Sequence, residues 1–167
     1  MTTPKALLVD LDDTLICFDD VAHSAWKAAC AAACAAACVE DGVFGMPVEV
    51  LAEEIWNYSH WFYSDPVRHR EGRNALEDTR RHIVKKVMEK RGIDDPEIAF
   101  EIADTYSRIR EERLYVFPGV YETLKELKSR GIPLVMITNG ESRLQRRKIE
   151  RFEFTGYFES ILIEGEL

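Results

Sequence analysis

Long apolar runs are missing from this 167-residue sequence. No stretch approaches the ~20 consecutive apolar residues that cross a bilayer. Residues 1–10 also lack the basic, apolar and small-residue order of a secretion signal, so a cytoplasmic location is expected. Positive charge is scarce too: 22 Lys and Arg stand against 30 Asp and Glu, for a net charge of −8 and a pI near 5.1. That balance argues against nucleic acid and anionic membrane as partners, because both require a basic face, although a locally basic surface stays open. Cysteine is confined to Cys17, Cys30, Cys34 and Cys38, three of them at every fourth position. On a helix such residues form one slowly drifting stripe, and i, i+4 neighbours stand too far apart to bridge easily, which excludes a disulfide framework. A thiolate metal site lacks the usual CxxC or a nearby His, so the stripe reads as small-residue packing beside Ala29, Ala33 and Ala37.

What is present is a 46% hydrophobic chain, enough for one real core and a small appended domain. The chain is organised around Lys5 to Leu15, KALLVDLDDTL. The apolar run Ala6 to Val9 reads as a buried strand covered on both faces, delivering Asp10, Asp12 and Asp13 at its carboxyl end with Thr14 beside them. In open α/β sheets that end is where ligands bind. An Asp leaving the strand can attack phosphorus, and one two residues on can protonate a leaving oxygen and later deprotonate a water. Two neighbouring carboxylates repel, and a hard cation such as Mg²⁺ relieves that repulsion. The competing reading is an ordinary turn or helix cap, since Asp and Thr are favoured at both.

DLDDTL at Asp10 to Leu15 resembles the first signature of the haloacid dehalogenase superfamily of phosphatases, and ITNG at Ile137 to Gly140 resembles the second. The resemblance implies an aspartyl-phosphate mechanism with Mg²⁺ as cofactor. Asp10 would be nucleophile, Asp12 general acid/base, both metal ligands, and Thr138 with Asn139 the phosphate-binding residues. Dehalogenase members usually lack the second aspartate, so Asp12 points to phosphoesters.

Periodicity supplies the rest of the organisation. Helices are predicted over about Val21 to Glu40, stopped by Asp41, Gly42 and Gly45, and over Pro47 to about Tyr63, Arg73 to Arg91 and Asp94 to Leu114. Ser64 to Gly72, SDPVRHREG, reads as a loop because Pro66 and Gly72 break the pattern. Its Arg68, His69 and Arg70 fit either a solvated connector or recognition of a substrate's anionic group, His69 being the weakest of the three. Past Phe117 to Gly119 come a helix ending at Gly131, a strand at Pro133 to Ile137, a helix from Ser142 to about Phe152 and a strand at Ser160 to Ile163.

The expected fold class is therefore α/β: a Rossmann-like parallel sheet core of residues 1–17 and 117–167, with an α-helical cap domain, 18–116, inserted into it. In the resembling family such a cap closes over the substrate and excludes water. RLQRRKIERFEFTGYFESILIEGE, from Arg143 on, resembles the corresponding stretch of capped phosphatases acting on sugar and acylneuraminate phosphates. The pattern needs two further parts, a lysine commonly followed by proline and an acidic pair, both expected beyond Leu167. Lys148 lies inside a helix and does not match the lysine motif. The core is thus expected to be incomplete, with Lys5 to Val9 an exposed edge through which the chain self-associates.

The function expected is Mg²⁺-dependent hydrolysis of a small phosphorylated metabolite. Transfer of the phosphoryl group to a second substrate, as in a phosphomutase, and a binding fragment without turnover are the alternatives. The specific substrate and the oligomeric state are not encoded in any motif.

Overall fold

A computed structural model describes residues 4–36 and 46–167. It divides into two units, one formed by Met1–Phe18 with Tyr115–Leu167 and the other by Asp19–Leu114.

The first unit is an α/β assembly. Strands β1 (Leu7–Val9), β4 (Leu134–Thr138) and β5 (Ser160–Ile163) form a parallel sheet in the order β1-β4-β5. Leu7 pairs with Leu134, Val9 with Met136, and Thr138 with Ile163. Parallel neighbours need a long crossover, and α7 (Ser142–Arg151) supplies it between β4 and β5; α6 (Val120–Ser129) precedes β4. A second, antiparallel ladder joins β2 (Ile16–Cys17) to β3 (Tyr115–Val116), where the chain leaves this unit and where it returns. Ile16 and Cys17, just past the DLDDTL motif, thus form a short strand.

Alternation decides which sheet face is covered. Leu134, Met136 and Ile163 are buried, whereas Leu8, Ile137 and Leu162 on the opposite face are 69%, 42% and 39% exposed. The expectation that Ala6 to Val9 is covered on both faces therefore fails. In the described sheet β1 has a neighbour on one side only, and its odd-numbered residues alone turn toward the core.

The second unit is helical: α1 (Asp20–Ala36), α2 (Val48–Tyr63), α3 (Pro66–Asn74), α4 (Leu76–Lys90) and α5 (Pro96–Arg113). Ala25, Ala29 and Ala33 are buried on one face of α1 with Cys30 and Cys34, and the small side chains let neighbouring helices approach closely. Burial pushes the Cys30 thiol up to about 12. Cys38 and the end expected for this helix lie outside the described residues. Trp26 stacks on Tyr106 with ring centroids 3.5 Å apart, beside Ile55, Ile83 and Ile102. No described helix is long and apolar enough to cross a membrane.

Residues 64–72 are mostly helix, correcting the loop reading. Asp65 caps α3 by accepting from the backbone N–H groups of Val67 and Arg68 at 3.0 and 2.9 Å, and Pro66 fits the first turn, where its missing N–H costs nothing. Arg68 is turned inward. Its Nε donates to the Phe62 carbonyl and its Nη2 to that of Trp61, both at 3.0 Å, and its guanidinium lies 4.3 Å over the Trp61 ring. The side chain offered for anion recognition thus caps the end of α2. His69 stands edge-on to Tyr63, and Arg70 is exposed.

Candidate active site

The site lies wholly within the α/β unit, at the carboxyl ends of β1 and β4. Asp10 follows β1 directly, and the chain then turns tightly. The Leu15 and Ile16 N–H groups both donate to the Leu11 carbonyl, and the Asp13 N–H donates to Ile16. Asp13 adopts φ 55°, a left-handed conformation that Asp tolerates better than most residues, and its Oδ1 accepts from the Phe18 N–H at 2.9 Å. Asp13 is therefore the residue that makes the turn. Leu11 and Leu15 are buried beneath it.

Across the sheet, β4 carries Thr138 to the same end, and Thr138 is 3% exposed. Asn139 is exposed, and its backbone carbonyl points to α7. The two signature stretches, separated by 128 positions of chain, become neighbours because Val9 pairs with Met136 in parallel register.

Two side chains of α7 complete the arrangement. Lys148 Nζ donates to both oxygens of Asp12 at 2.8 Å and lies 4.4 Å over the Phe18 ring. Only 13% of the Lys148 side chain and 21% of the Asp12 side chain reach solvent, so this pair is far less screened than a surface ion pair. Gln145 Nε2 donates toward Asp12 Oδ2 at 3.0 Å, Thr138 Oγ1 at 2.9 Å and the Asn139 carbonyl at 2.5 Å. Lys148, which did not match the lysine motif in sequence, stands on the second aspartate. Gln145 was not singled out at all. The available signal was their spacing of three, which puts both on one helix face a few residues after ITNG.

The Asp10 carboxyl is pushed above the ordinary Asp range. Burial is the largest cause, the Leu11 N–H opposes it, the charges of Asp12 and Asp13 raise it further, and Lys148 lowers it. Crowded carboxylates of this kind, hard oxygen donors at a strand end, suit Mg²⁺, which takes one or two carboxylates and fills its remaining positions with waters and phosphate oxygens. Among the described residues no group of three or more His, Cys, Asp or Glu could hold a metal ion by itself.

The loop after β4 is braced from the chain's last turn. The Gly165 N–H donates to the Gly140 carbonyl at 3.1 Å, and Glu166 accepts from Ser142 Oγ and Arg146 at 2.6 to 2.9 Å. A Cβ at Gly165 would meet the Gly140 carbonyl oxygen at 2.7 Å, so only glycine fits there.

Comparison with known proteins identifies the family. The haloacid dehalogenase-like hydrolase family matches residues 4–167. Phosphoserine phosphatase of Thermus thermophilus is 30% identical over 98% of this chain and 69% of its own length. Ribulose-1,5-bisphosphate 5-phosphatase of Halopiger xanaduensis is 26% identical over 96% of this chain and 63% of its own. Among solved structures, the HAD hydrolase YfnB of Bacillus subtilis superimposes with a TM-score of 0.64 at 16% identity, covering 97% of this chain and 64% of that one. The chain thus spans about two thirds of the length of these relatives.

Proposed function

The chain belongs to the haloacid dehalogenase-like hydrolases, and we propose that it hydrolyses phosphomonoesters of small metabolites through Asp10 and Asp12. The observation that carries this reading is the convergence of Asp12, Thr138 and Lys148 beside Asp10 at the ends of two adjacent parallel strands. Relatives named as phosphatases of phosphoserine, ribulose bisphosphate and phosphoglycolate support the substrate class. The helical unit, as a cap, would select among such substrates.

In this mechanism an Asp10 carboxylate oxygen attacks phosphorus, and the bond from phosphorus to the leaving oxygen breaks. Asp12 gives its proton to that oxygen, releasing the alcohol and leaving an acyl phosphate on Asp10. Asp12, now ionised, takes a proton from water as the water oxygen attacks phosphorus. The Asp10–phosphate bond then breaks, restoring the carboxylate and freeing inorganic phosphate. Thr138 and nearby backbone N–H groups hold phosphoryl oxygens. Lys148 places a positive charge where negative charge accumulates, an effect that is usually a large share of phosphoryl-transfer catalysis. Asp10 and Asp12 would hold Mg²⁺, which when bound neutralises charge on the phosphoryl oxygens.

Phosphate release from a panel of sugar phosphates, phosphoserine, phosphoglycolate and nucleotides tests the activity. Borohydride reduction during turnover, read by mass spectrometry, should convert residue 10 to homoserine. Phosphate trapped on any other residue overturns the assignment.

A further inference from the structure

Gln145 contributes nothing that the scheme above requires, yet it is 2% exposed and aimed into the site. Its orientation is fixed by chemistry. With the amide turned over, Oε1 would face the Asn139 carbonyl, which has no hydrogen to give, and an Asp12 oxygen that already accepts from Lys148. As it stands, Nε2 has two hydrogens for three acceptors, and Oε1 is buried with no hydrogen-bond partner among the described residues. A buried amide with an orphaned carbonyl is costly, and such costs collect at sites where position matters more than stability.

One nitrogen therefore ties together two stretches far apart in sequence: the turn after β1, through the Asp12 side chain, and the end of β4, through the Thr138 hydroxyl and the adjoining Asn139 carbonyl. Lys148, one helical turn along α7, grips the same carboxylate through both oxygens. Gly140, at φ +124°, leaves the room: a Cβ there would stand 3.3 Å from Gln145 Nε2.

We infer that Gln145 is a positioning residue that fixes the Asp12 carboxyl relative to Thr138, and so sets the distance between the group that moves the proton and the group that holds the phosphate. This rests on the reading of Asp12 as general acid/base. Lys148 supplies charge to the carboxylate, whereas the neutral amide of Gln145 supplies direction. A leaving oxygen that needs a proton will feel its loss, and one that departs easily as an anion will not.

The test compares kcat/KM, which reports formation of the acyl phosphate, for glycerol phosphate and p-nitrophenyl phosphate. Gln145→Met keeps length and removes the amide. It should lower the glycerol phosphate value about 10-fold or more, toward the range of a lost general acid, and the aryl value less than about 3-fold. Asp12→Asn should show the same selectivity, larger. Equal losses on both substrates, or none, with Asp12→Asn still selective, would overturn the role of Gln145 and leave the proposed function standing. Absence of selectivity in Asp12→Asn would instead remove the proposed function. A second readout, independent of turnover and of Gln145→Met folding, is the side-chain amide pair of Gln145 in ¹⁵N–¹H spectra. It should be slow to exchange with solvent and should shift on Asp12→Asn, and a pair that exchanges freely or does not move overturns the inference whatever the kinetics show.

Discussion

The two units of this chain arrange apolar residues in opposite ways. The helical unit surrounds its core: Ile55, Ile83, Ile102 and Trp26 come from four helices and are essentially fully buried. The α/β unit covers one face of its sheet and leaves Leu8, Ile137 and Leu162 on the other in solvent. Among the described residues, the polar ones buried as a whole are Thr138 and Gln145 in the α/β unit and Thr79 in the helical unit.

The largest effect that separates the units is expected at Asp10. Asp10→Asn should lower turnover about 10⁴-fold or more, as removal of the proposed nucleophile would. Its effect on stability should run the other way. The folded state holds the Asp10 carboxyl above its unfolded value, so ionisation costs folding free energy and stability falls as pH rises through the folded value. A neutral Asn escapes that loss, and Asp10→Asn should unfold at higher temperature than the parent at pH 7. A lower midpoint would mean that the carboxylate is stabilised by its surroundings.

Ile102→Ala carries the comparison into the helical unit. The side chain is fully buried against α1 and α4, and its loss should cost about 2–5 kcal/mol through lost transfer energy and the cavity left behind. Urea unfolding followed by circular dichroism measures it. A cost below about 1 kcal/mol would show that the helical core is loosely packed.

On the bare sheet face the same kind of change should do little to folding and more to association. Leu8→Lys, at a side chain 69% exposed, should shift stability by less than about 0.5 kcal/mol. A charge on an edge strand discourages strand pairing, so light scattering should show self-association moved to higher concentration. Identical scattering from both proteins would exonerate this edge.

These contrasts also explain which parts were legible in the sequence. The apolar run stopping at Asp10 placed the carboxylates at a strand end, and PLVMIT placed Thr138 at another, because period and punctuation are local signals. Exposure of Leu8 depends on what lies beside the strand, which the run itself does not encode. Residues 66–74 carry almost no apolar stripe, so Pro66 looked like a break when it was a helix start behind the Asp65 cap. Gln145 and Lys148 sit among RLQRRK, where every side chain looks solvated. Only the packing of α7 across the strand ends brings them to Asp12, 133 and 136 positions away.

A last contrast is a difference of sign inside the helical unit. Tyr63 and Ser107 both carry hydroxyls near the half-buried guanidinium of Arg80. The Ser107 hydroxyl is used twice, accepting from Arg80 Nη1 and donating to the Ala103 carbonyl, each at 2.9 Å. The Tyr63 hydroxyl is buried with no hydrogen-bond partner among the described residues, and burial pushes its pKa up, Arg80 and Arg110 opposing. Removing a satisfied hydroxyl strands its partners, whereas removing an unsatisfied one relieves a desolvation penalty. Ser107→Ala should therefore cost about 0.5–1.5 kcal/mol, leaving Arg80 with a half-buried donor unmet, while Tyr63→Phe should be neutral or stabilising by up to about 1 kcal/mol. Denaturant melts of the two variants side by side decide it. If Tyr63→Phe is the more damaging, the hydroxyl has a hydrogen-bonded partner in solution, and the helical unit holds a polar contact as firmly as the α/β unit does.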